Sequence, residues 1–192
     1  MRILIIDGHP DPAPERYARA LVSAYAEGAR EAGHEIERIG IAELAIPPLA
    51  AAADWENGTP SKAAQRVQAA IAAADHLVII YPLWLGNMPA LLKAFFEQVF
   101  RPGFAITTGE RTLRPGLLKN KSARVIVTMG MPALVYRVYF RAHTLRSLKR
   151  NILNFAGISP VRDTVIGSVE GMGDKGRKKW LDRLRRMGHR GR

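Results

Sequence analysis

Residues 76–89 read HLVIIYPLWLGNMP, and the fold that we predict for the chain rests on them more than on any other segment. Its first six residues are short, β-branched and almost continuously apolar, which is typical of a strand covered on both faces. An aromatic residue, a glycine and an amide follow between Pro82 and Pro89, and a helix comes next. In open α/β sheets, ligands bind beyond the carboxyl ends of the strands, where the winding reverses. The loop at 82–89 is therefore predicted to hold a flat ligand.

The rest of the chain alternates strand-like and helix-like segments, without repeats or low-complexity linkers. Strands are predicted at residues 2–7, 34–41, 76–81, 123–128 and 161–169, and helices at 15–32, 61–74, 88–100, 142–156 and 175–187. The second strand carries charges among its isoleucines and is predicted to be an edge, while residues 47–59 are predicted to be irregular. Right-handed crossovers then give an α/β fold with a five-stranded parallel sheet and helices on both faces, and the order 2-1-3-4-5 follows if the second strand is the edge.

Length and composition limit the classes of protein to which the chain can belong. With 192 residues and 47% hydrophobic content, it is predicted to form one domain over residues 1–192, ending in a short basic tail at 188–192. No apolar run reaches the roughly 20 residues of a membrane span, and the first strand lacks signal-peptide features, so we expect a cytoplasmic protein. The absence of cysteine excludes disulfides, thiolate metal sites and cysteine nucleophiles. Any redox chemistry therefore requires a bound cofactor, and no metal site is predicted.

The net charge of +12 is unevenly distributed along the chain. Residues 1–100 carry 8 Lys and Arg against 12 Asp and Glu, whereas residues 101–192 carry 21 against 5. Such an asymmetry is expected either of a nucleic-acid-binding surface or of attraction for a phosphate-bearing ligand. Solvated basic faces, as on the terminal helix, are the simpler interpretation, and nucleic-acid binding is not predicted.

Several functions known for such sheets are excluded because their essential residues are missing. The dinucleotide fingerprint G-x-G-x-x-G does not follow the first strand, and the chain has no G-x-x-x-x-G-K-[ST] phosphate loop. A phospho-acceptor domain of the same winding needs a carboxylate at the end of the third strand, but Pro82 and Leu83 occupy that place. A classical dinucleotide dehydrogenase, a nucleoside triphosphatase and a phospho-acceptor domain are therefore set aside.

The loop after the first strand, residues 8–17, leads directly into a helix and is predicted to bind an anion. Free backbone N–H groups and the positive end of a helix favour negative charge, and His9 or Arg16 could donate to it. The alternatives are that His9 only caps the first strand and that Arg16 is only a solvated residue of the first helical turn.

Three segments stand in a fixed order along the chain: Gly8-His9-Pro10, residues 82–93 and Thr128-Met129-Gly130. In that order they resemble the flavodoxin-like NAD(P)H:quinone oxidoreductases, a group that includes modulators of drug activity and potassium-efflux ancillary proteins. The first segment resembles the family's flavin-phosphate loop. The second is very similar to its isoalloxazine-binding loop and following helix, and the third occupies the place of its remaining flavin-contacting loop. The resemblance extends over essentially the whole chain.

The resemblance implies that a flavin lies along these segments, bordered by the backbone of residues 83–85 and the side chain of Asn87, with Trp84 packed against it. A flavin requires N–H donors near its N1/O2 edge and N5, and apolar walls on its faces, which this composition can supply. The cofactor contacts implied are His9, Arg16, Tyr17, Pro82, Leu83, Trp84, Leu85, Gly86, Asn87, Thr128, Met129 and Gly130.

Tyr136 and His143 follow the third loop at roughly the spacing at which relatives keep a tyrosine and a histidine that stabilise charge on the reduced flavin. A proton donor near N1/O2 makes chemical sense, because negative charge develops there when hydride arrives at N5. By resemblance both residues are predicted to be catalytic. The alternative is a helix-surface pair beside Arg137 and Arg141.

The function implied is a flavoenzyme that takes hydride from NADH or NADPH and passes it to a quinone or similar acceptor by a ping-pong route, as a homodimer. FAD and FMN both stay open, because the first helix begins with Glu15-Arg16-Tyr17-Ala18 where relatives often place a serine, an aromatic residue and an asparagine. The main alternative is a non-catalytic regulatory subunit of a transporter that binds flavin or nucleotide. A basic nucleic-acid-binding domain is the third hypothesis.

Overall fold

A computed structural model describes residues 1–107 and 116–191, and its centre is a sheet of five parallel strands. The strands are β1 (Arg2–Asp7), β2 (Glu35–Gly40), β3 (His76–Pro82), β4 (Ser122–Thr128) and β5 (Val161–Ile166). Their order is β2-β1-β3-β4-β5, which confirms the predicted topology. In the register of the central strands, Ile6, Ile79 and Val125 lie side by side. The carboxyl ends of β1, β3 and β4 therefore meet at one edge, and the three loops predicted to bind a ligand begin there.

The burial of each strand follows its sequence. Every residue of β3 is buried, as its continuous apolarity predicts for a central strand with both faces covered. In β2, the charged side chains of Glu35, Glu37 and Arg38 are exposed while Ile39 is buried. This pattern matches the predicted edge position, where one side of the strand faces water.

Helices cover both faces of the sheet, and each face has its own apolar core. The helices are α1 (Tyr17–Glu31), α2 (Ala52–Glu56), α3 (Lys62–Ala73), α4 (Ala90–Val99), α5 (Ala133–Val138), α6 (His143–Ser147) and α7 (Asp174–His189). A π-helical segment, Leu148–Asn154, continues α6. Helices α1 and α7 pack on one face around Leu21, Tyr25 and Leu184, and α3 and α4 pack on the other around Val67 and Phe95.

Two short helices and one helix break were not predicted. Helix α2 lies in the stretch expected to be irregular. None of its residues is buried, so its sequence does not show the amphipathic pattern by which a helix is predicted. Helix α5 has six residues and lies before the predicted helix at 142–156, where no helix was expected. Arg141 and Ala142 both adopt positive φ, 51° and 47°, which ends the preceding turn and starts α6 afresh. The predicted helix is therefore an α-helical turn followed by a π-helical segment.

Helices α1 and α7 approach each other at two glycines. A Cβ atom on Gly28 would lie 1.9 Å from the carbonyl oxygen of Arg185, and one on Gly188 would lie 2.0 Å from that of Tyr25. Only glycine permits this backbone contact. Because α7 extends to His189, the predicted basic tail of residues 188–192 begins inside this helix. No helix among the described residues is both long and apolar enough to cross a membrane.

Candidate functional site

A tight turn at residues 84–87 forms the centre of the candidate site. The N–H of Trp84 donates to the carbonyl of Asn87 at 2.8 Å, and the N–H of Asn87 donates back to the carbonyl of Trp84 at 2.9 Å. The two residues between them, Leu85 and Gly86, have φ values of 47° and 76°. Positive φ at both central positions is the signature of a type I′ turn. Glycine suits this conformation, whereas Leu85 adopts it with a branched side chain that is fully exposed.

Two hydrogen bonds hold this turn from opposite sides. The N–H of Leu83 donates to the carbonyl of Thr128 at the end of β4, at 2.7 Å. The hydroxyl of Thr144 donates to the carbonyl of Gly86, also at 2.7 Å. The turn is therefore fastened both to the sheet and to α6, and its geometry depends on contacts remote in sequence.

The hydroxyl of Tyr136 is hydrogen-bonded to that of Thr144. The hydroxyl of Thr144 has one proton, which it donates to the carbonyl of Gly86. In its contact with the Tyr136 hydroxyl, at 3.0 Å, Thr144 is therefore the acceptor. The Tyr136 oxygen in turn accepts from the N–H of Leu145 at 3.3 Å. Tyr136 is 2% exposed, so its hydroxyl is both buried and occupied. This geometry favours a role through Thr144 over the predicted role of Tyr136 as a donor that stabilises charge on the reduced flavin.

The turn leaves several hydrogen-bond donors free. Within residues 1–107 and 116–191, the N–H groups of Leu85 and Gly86 have no protein acceptor. The side-chain oxygen of Asn87 accepts from the N–H of Met88 at 2.8 Å, which leaves the amide NH₂ of Asn87 as a further donor. The turn can therefore donate to carbonyl and ring-nitrogen acceptors along the edge of a flat ligand.

His9 and Trp84 bring the first and second loops together. Their rings meet edge to face, with centroids 5.9 Å apart, and the indole of Trp84 is 48% exposed. Nδ1 of His9 accepts from the N–H of Asp11 at 3.1 Å, which assigns the ring proton to Nε2. Burial lowers the pKa of His9 despite the nearby carboxylate of Asp7. The site thus combines an accessible aromatic surface with a histidine that favours its neutral form.

The start of α1 offers backbone donors, while its predicted side chains are engaged elsewhere. Nε of Arg16 donates to Asp11 at 2.6 Å, and the Tyr17 hydroxyl donates to the carbonyl of Arg177 at 3.1 Å. In the described part of the chain, the N–H groups of Tyr17 and Ala18 have no acceptor. The geometry therefore favours these two N–H groups, rather than the side chains of Arg16 and Tyr17, as the anion-binding donors.

In the third loop, only Gly130 is accessible. Met129 is buried, its N–H donates to the carbonyl of Ile166 at 2.9 Å, and its carbonyl accepts from Val169 at 3.1 Å. Its backbone thus continues the strand pairing, which engages its N–H group, and its buried side chain is not available to a ligand. Gly130 is exposed, and its N–H has no acceptor among the described residues.

The remaining predicted site residues lie at different depths. Pro82 is the last residue of β3, where it is buried and pairs with Thr128. His143 is the first residue of α6, and its side chain is exposed. Its neighbour Thr144 was not predicted, although it contacts the turn directly. Nothing in the sequence pairs residues 86 and 144, because the contact depends on how α6 folds back over the sheet edge.

Comparison with known proteins identifies the family. A family model described as having a flavodoxin-like fold matches residues 1–188. The chain belongs to this flavodoxin-like family. The family's fold agrees with the sheet order and with the position of the three loops at one edge of the sheet.

Three family relatives illustrate the range of similarity. An uncharacterized NAD(P)H oxidoreductase of Haemophilus influenzae is 27% identical over 95% of this chain and 91% of its own length. An FMN-dependent NADH:quinone oxidoreductase of Alteromonas mediterranea is 31% identical over 66% of each chain. The solved structure of an NAD(P)H:quinone oxidoreductase from Methanothermobacter marburgensis superposes with a TM-score of 0.83 at 25% identity, covering 98% of this chain and 96% of that one.

Proposed function

We propose that this protein is an FMN-dependent oxidoreductase that uses NADH or NADPH to reduce a quinone-like acceptor. The turn at 84–87 carries the proposal, because it presents free donors and places the indole of Trp84 against His9, in the loop that leads into α1. The names of the relatives support the same reaction class, since they include FMN-dependent NADH:quinone and NAD(P)H:quinone oxidoreductases. Because NAD(P)H is a cytoplasmic reductant, we place the protein in the cytoplasm.

The donor set of the described residues fits FMN. The N–H groups of Tyr17 and Ala18 would receive the phosphate at the positive end of α1. The N–H groups of Leu85 and Gly86 and the amide of Asn87 would receive the polar edge of the ring, and Trp84 would cover an apolar surface. When bound, FMN supplies the hydride chemistry that the amino acids cannot perform. FMN is preferred to FAD because the relatives named for a flavin are FMN-dependent.

The chain's own residues would place the ligand and control the polarity around it. Thr144 and Tyr136 hold the carbonyl of Gly86, and so help to keep the turn that carries the free N–H groups in place. His9, with its proton on Nε2, offers a neutral donor beside Trp84. His143 is proposed to meet the substrate, because its exposed imidazole directly precedes Thr144 in α6.

A homodimer is the second part of the proposal. The "α5 patch" consists of four exposed apolar side chains next to the candidate site: Leu134, Val138, Tyr139 and Phe140. Leu85 is also fully exposed and occupies a conformation that favours asparagine or glycine, so stability of the monomer does not explain it. We propose that a second copy of the chain covers the α5 patch and Leu85, and thereby excludes water from the site.

Sedimentation velocity tests the dimer. Wild-type protein is expected to sediment as a dimer, and Val138→Asp/Tyr139→Asp is expected to sediment as a monomer at the same concentration. The control is Lys175→Asp/Lys178→Asp, which introduces two aspartates on the exposed surface of α7 and should remain a dimer. A wild-type monomer at concentrations of tens of micromolar would contradict this part of the proposal.

Absorbance spectroscopy of the purified protein, followed by mass analysis of the released cofactor, tests the main proposal. We expect flavin bands and FMN, together with NADH or NADPH oxidation that depends on an added benzoquinone. A colourless protein that cannot be reconstituted with FMN would refute the proposal. Bound FMN without any turnover would instead favour the regulatory subunit.

A further inference from the structure

A cavity of about 450 Å³ lies beside the candidate site, between α5, α6 with its π-helical continuation, and the edge strand β5. Ala142 and Leu145 line its wall, and they flank Thr144, which holds the turn at Gly86. The cavity therefore adjoins the candidate site. Its polar lining consists of Arg137, Arg146, Lys149, Arg150, Asn154 and Asp163.

Four cations and one carboxylate face this cavity. Asp163 accepts from Arg137 at 2.8 Å and from Lys149 at 2.5 Å. Although burial alone would raise it, these hydrogen bonds hold the pKa of Asp163 below its usual value. Arg146 and Arg150 make no ion pair within the described ranges. The cavity thus carries a surplus of positive charge that its own carboxylate does not neutralise.

The backbone concentrates this charge on one side of the helix. Arg146 and Arg150 are four residues apart, so they lie on successive turns and repel each other. The π-helical segment widens the following turn, and Asn154 still faces the same cavity as Arg150. A bound anion would remove the repulsion and would receive donors from two guanidinium groups and one amide. Guanidinium groups match the oxygen spacing of phosphate.

We propose that this cavity binds a phosphate monoester, held by Arg146 and Arg150 with Asn154 as a neutral donor. The volume exceeds that of a phosphate group, which leaves room for part of the molecule that carries it. Because the cavity adjoins Thr144, the phosphate can belong to NADPH, through its 2′-phosphate, or to a separate phosphorylated small molecule. The first source rests on the proposed function, whereas the anion site itself does not.

Titration calorimetry of the purified full chain with 2′-AMP tests the site, and adenosine serves as the uncharged probe. We expect 2′-AMP to bind and adenosine not to bind. Arg146→Gln/Arg150→Gln should weaken 2′-AMP binding at least tenfold. Lys175→Gln/Lys178→Gln on α7, which removes the same charge, should change it less than twofold. Equal losses in the two double variants would indicate nonspecific attraction and overturn the inference, as would a wild-type protein that does not bind 2′-AMP.

Asp163→Asn is a test in which binding should become tighter rather than weaker. Removing the carboxylate frees Arg137 and Lys149, so 2′-AMP should bind more tightly, and unchanged or weaker binding would count against the site.

Steady-state kinetics identify the source of the phosphate. If the phosphate is that of NADPH, Arg146→Gln/Arg150→Gln lowers the ratio of kcat/KM for NADPH to that for NADH at least tenfold. An unchanged ratio with loss of 2′-AMP binding assigns the site to a separate molecule. Binding of 2′-AMP by a protein that takes no flavin would keep this inference and refute the proposed function.

Discussion

Replacing Thr144 by valine tests whether a side chain distant in sequence fixes the turn at 84–87. Valine keeps the size of threonine but removes the donor to Gly86 and the acceptor for Tyr136. Losing the first bond costs about 0.5–1 kcal/mol, because water can reach the Gly86 carbonyl. The second loss leaves a buried tyrosine proton without an acceptor, at about 1–2 kcal/mol. The free energy of unfolding should therefore fall by about 2 kcal/mol.

Urea unfolding measures this loss, and fluorescence titration with FMN measures its effect on the site. For a chain of this length, about 2 kcal/mol corresponds to a fall in Tm of roughly 4–8 °C. If the turn binds the flavin, freeing the Gly86 carbonyl should weaken FMN binding about fivefold to tenfold, or roughly 1–1.4 kcal/mol. Thr144→Ser, which retains the hydroxyl, is the matched control and should lose less than about 1 kcal/mol of stability.

A double-mutant cycle with Tyr136→Phe separates the hydrogen-bond chain from simple packing. Alone, Tyr136→Phe should cost about 1 kcal/mol, because it removes the donor to Thr144 and the acceptor for Leu145. In the Thr144→Val background it should cost much less, since the orphaned hydroxyl is removed with it. If the two losses simply add, or if Thr144→Val behaves like Thr144→Ser, the relay from Tyr136 to Gly86 does not hold the turn.

Three further predictions concern stability. Burial, reinforced by the positive charges of Arg124 and Arg162, lowers the pKa of His76 from 6.5 to about 4. As the pH falls, His76 is therefore protonated in the unfolded chain before it is protonated in the folded one. The free energy of unfolding should be unaffected by His76 above pH 6.5 and should fall by up to about 3 kcal/mol as the pH drops to 4, measured by urea unfolding. Gly188→Ala should lower it by about 2 kcal/mol, because the new Cβ collides with the carbonyl of Tyr25. Ser61→Ala should lower the free energy of unfolding by about 1 kcal/mol, measured as a fall in Tm, because the Ser61 hydroxyl caps α3 by accepting from the N–H of Ala64.

Each of these has a control in the same chain. His76→Asn keeps a polar group beside Ser122 but cannot titrate, so the stability of this variant should not fall between pH 6.5 and 4 on account of residue 76. If its free energy of unfolding falls with pH as steeply as that of the wild type, the assignment to His76 is contradicted. Gly171→Ala places its Cβ in open space and should be nearly neutral, and an equal loss at both glycines would argue against the helix contact. Ser61→Asp retains a capping oxygen and should stay close to wild type, whereas equal losses with alanine and aspartate would exclude the cap.

The family and most of the fold follow from local sequence patterns. Continuous apolarity predicted β3 as a central strand, and mixed charge predicted β2 as an edge, because strand burial determines which residues each face tolerates. The short helices α2 and α5 were missed, since five or six residues carry too little periodicity to be recognised. The break at Arg141 and Ala142 was missed as well, because neither residue type normally adopts positive φ.

Periodicity and neighbours along the chain were sufficient to predict the order of the strands, the edge at which a ligand would bind and the identity of the loop at 82–89. Which hydrogen-bonding groups remain free at that edge depends on the folded chain. It engages Arg16 with Asp11 and Tyr17 with Arg177, buries Met129, and joins Tyr136 to Gly86 through Thr144. A hydrogen-bond donor serves a ligand only when no protein acceptor has taken it, and that competition is settled by residues far apart in sequence.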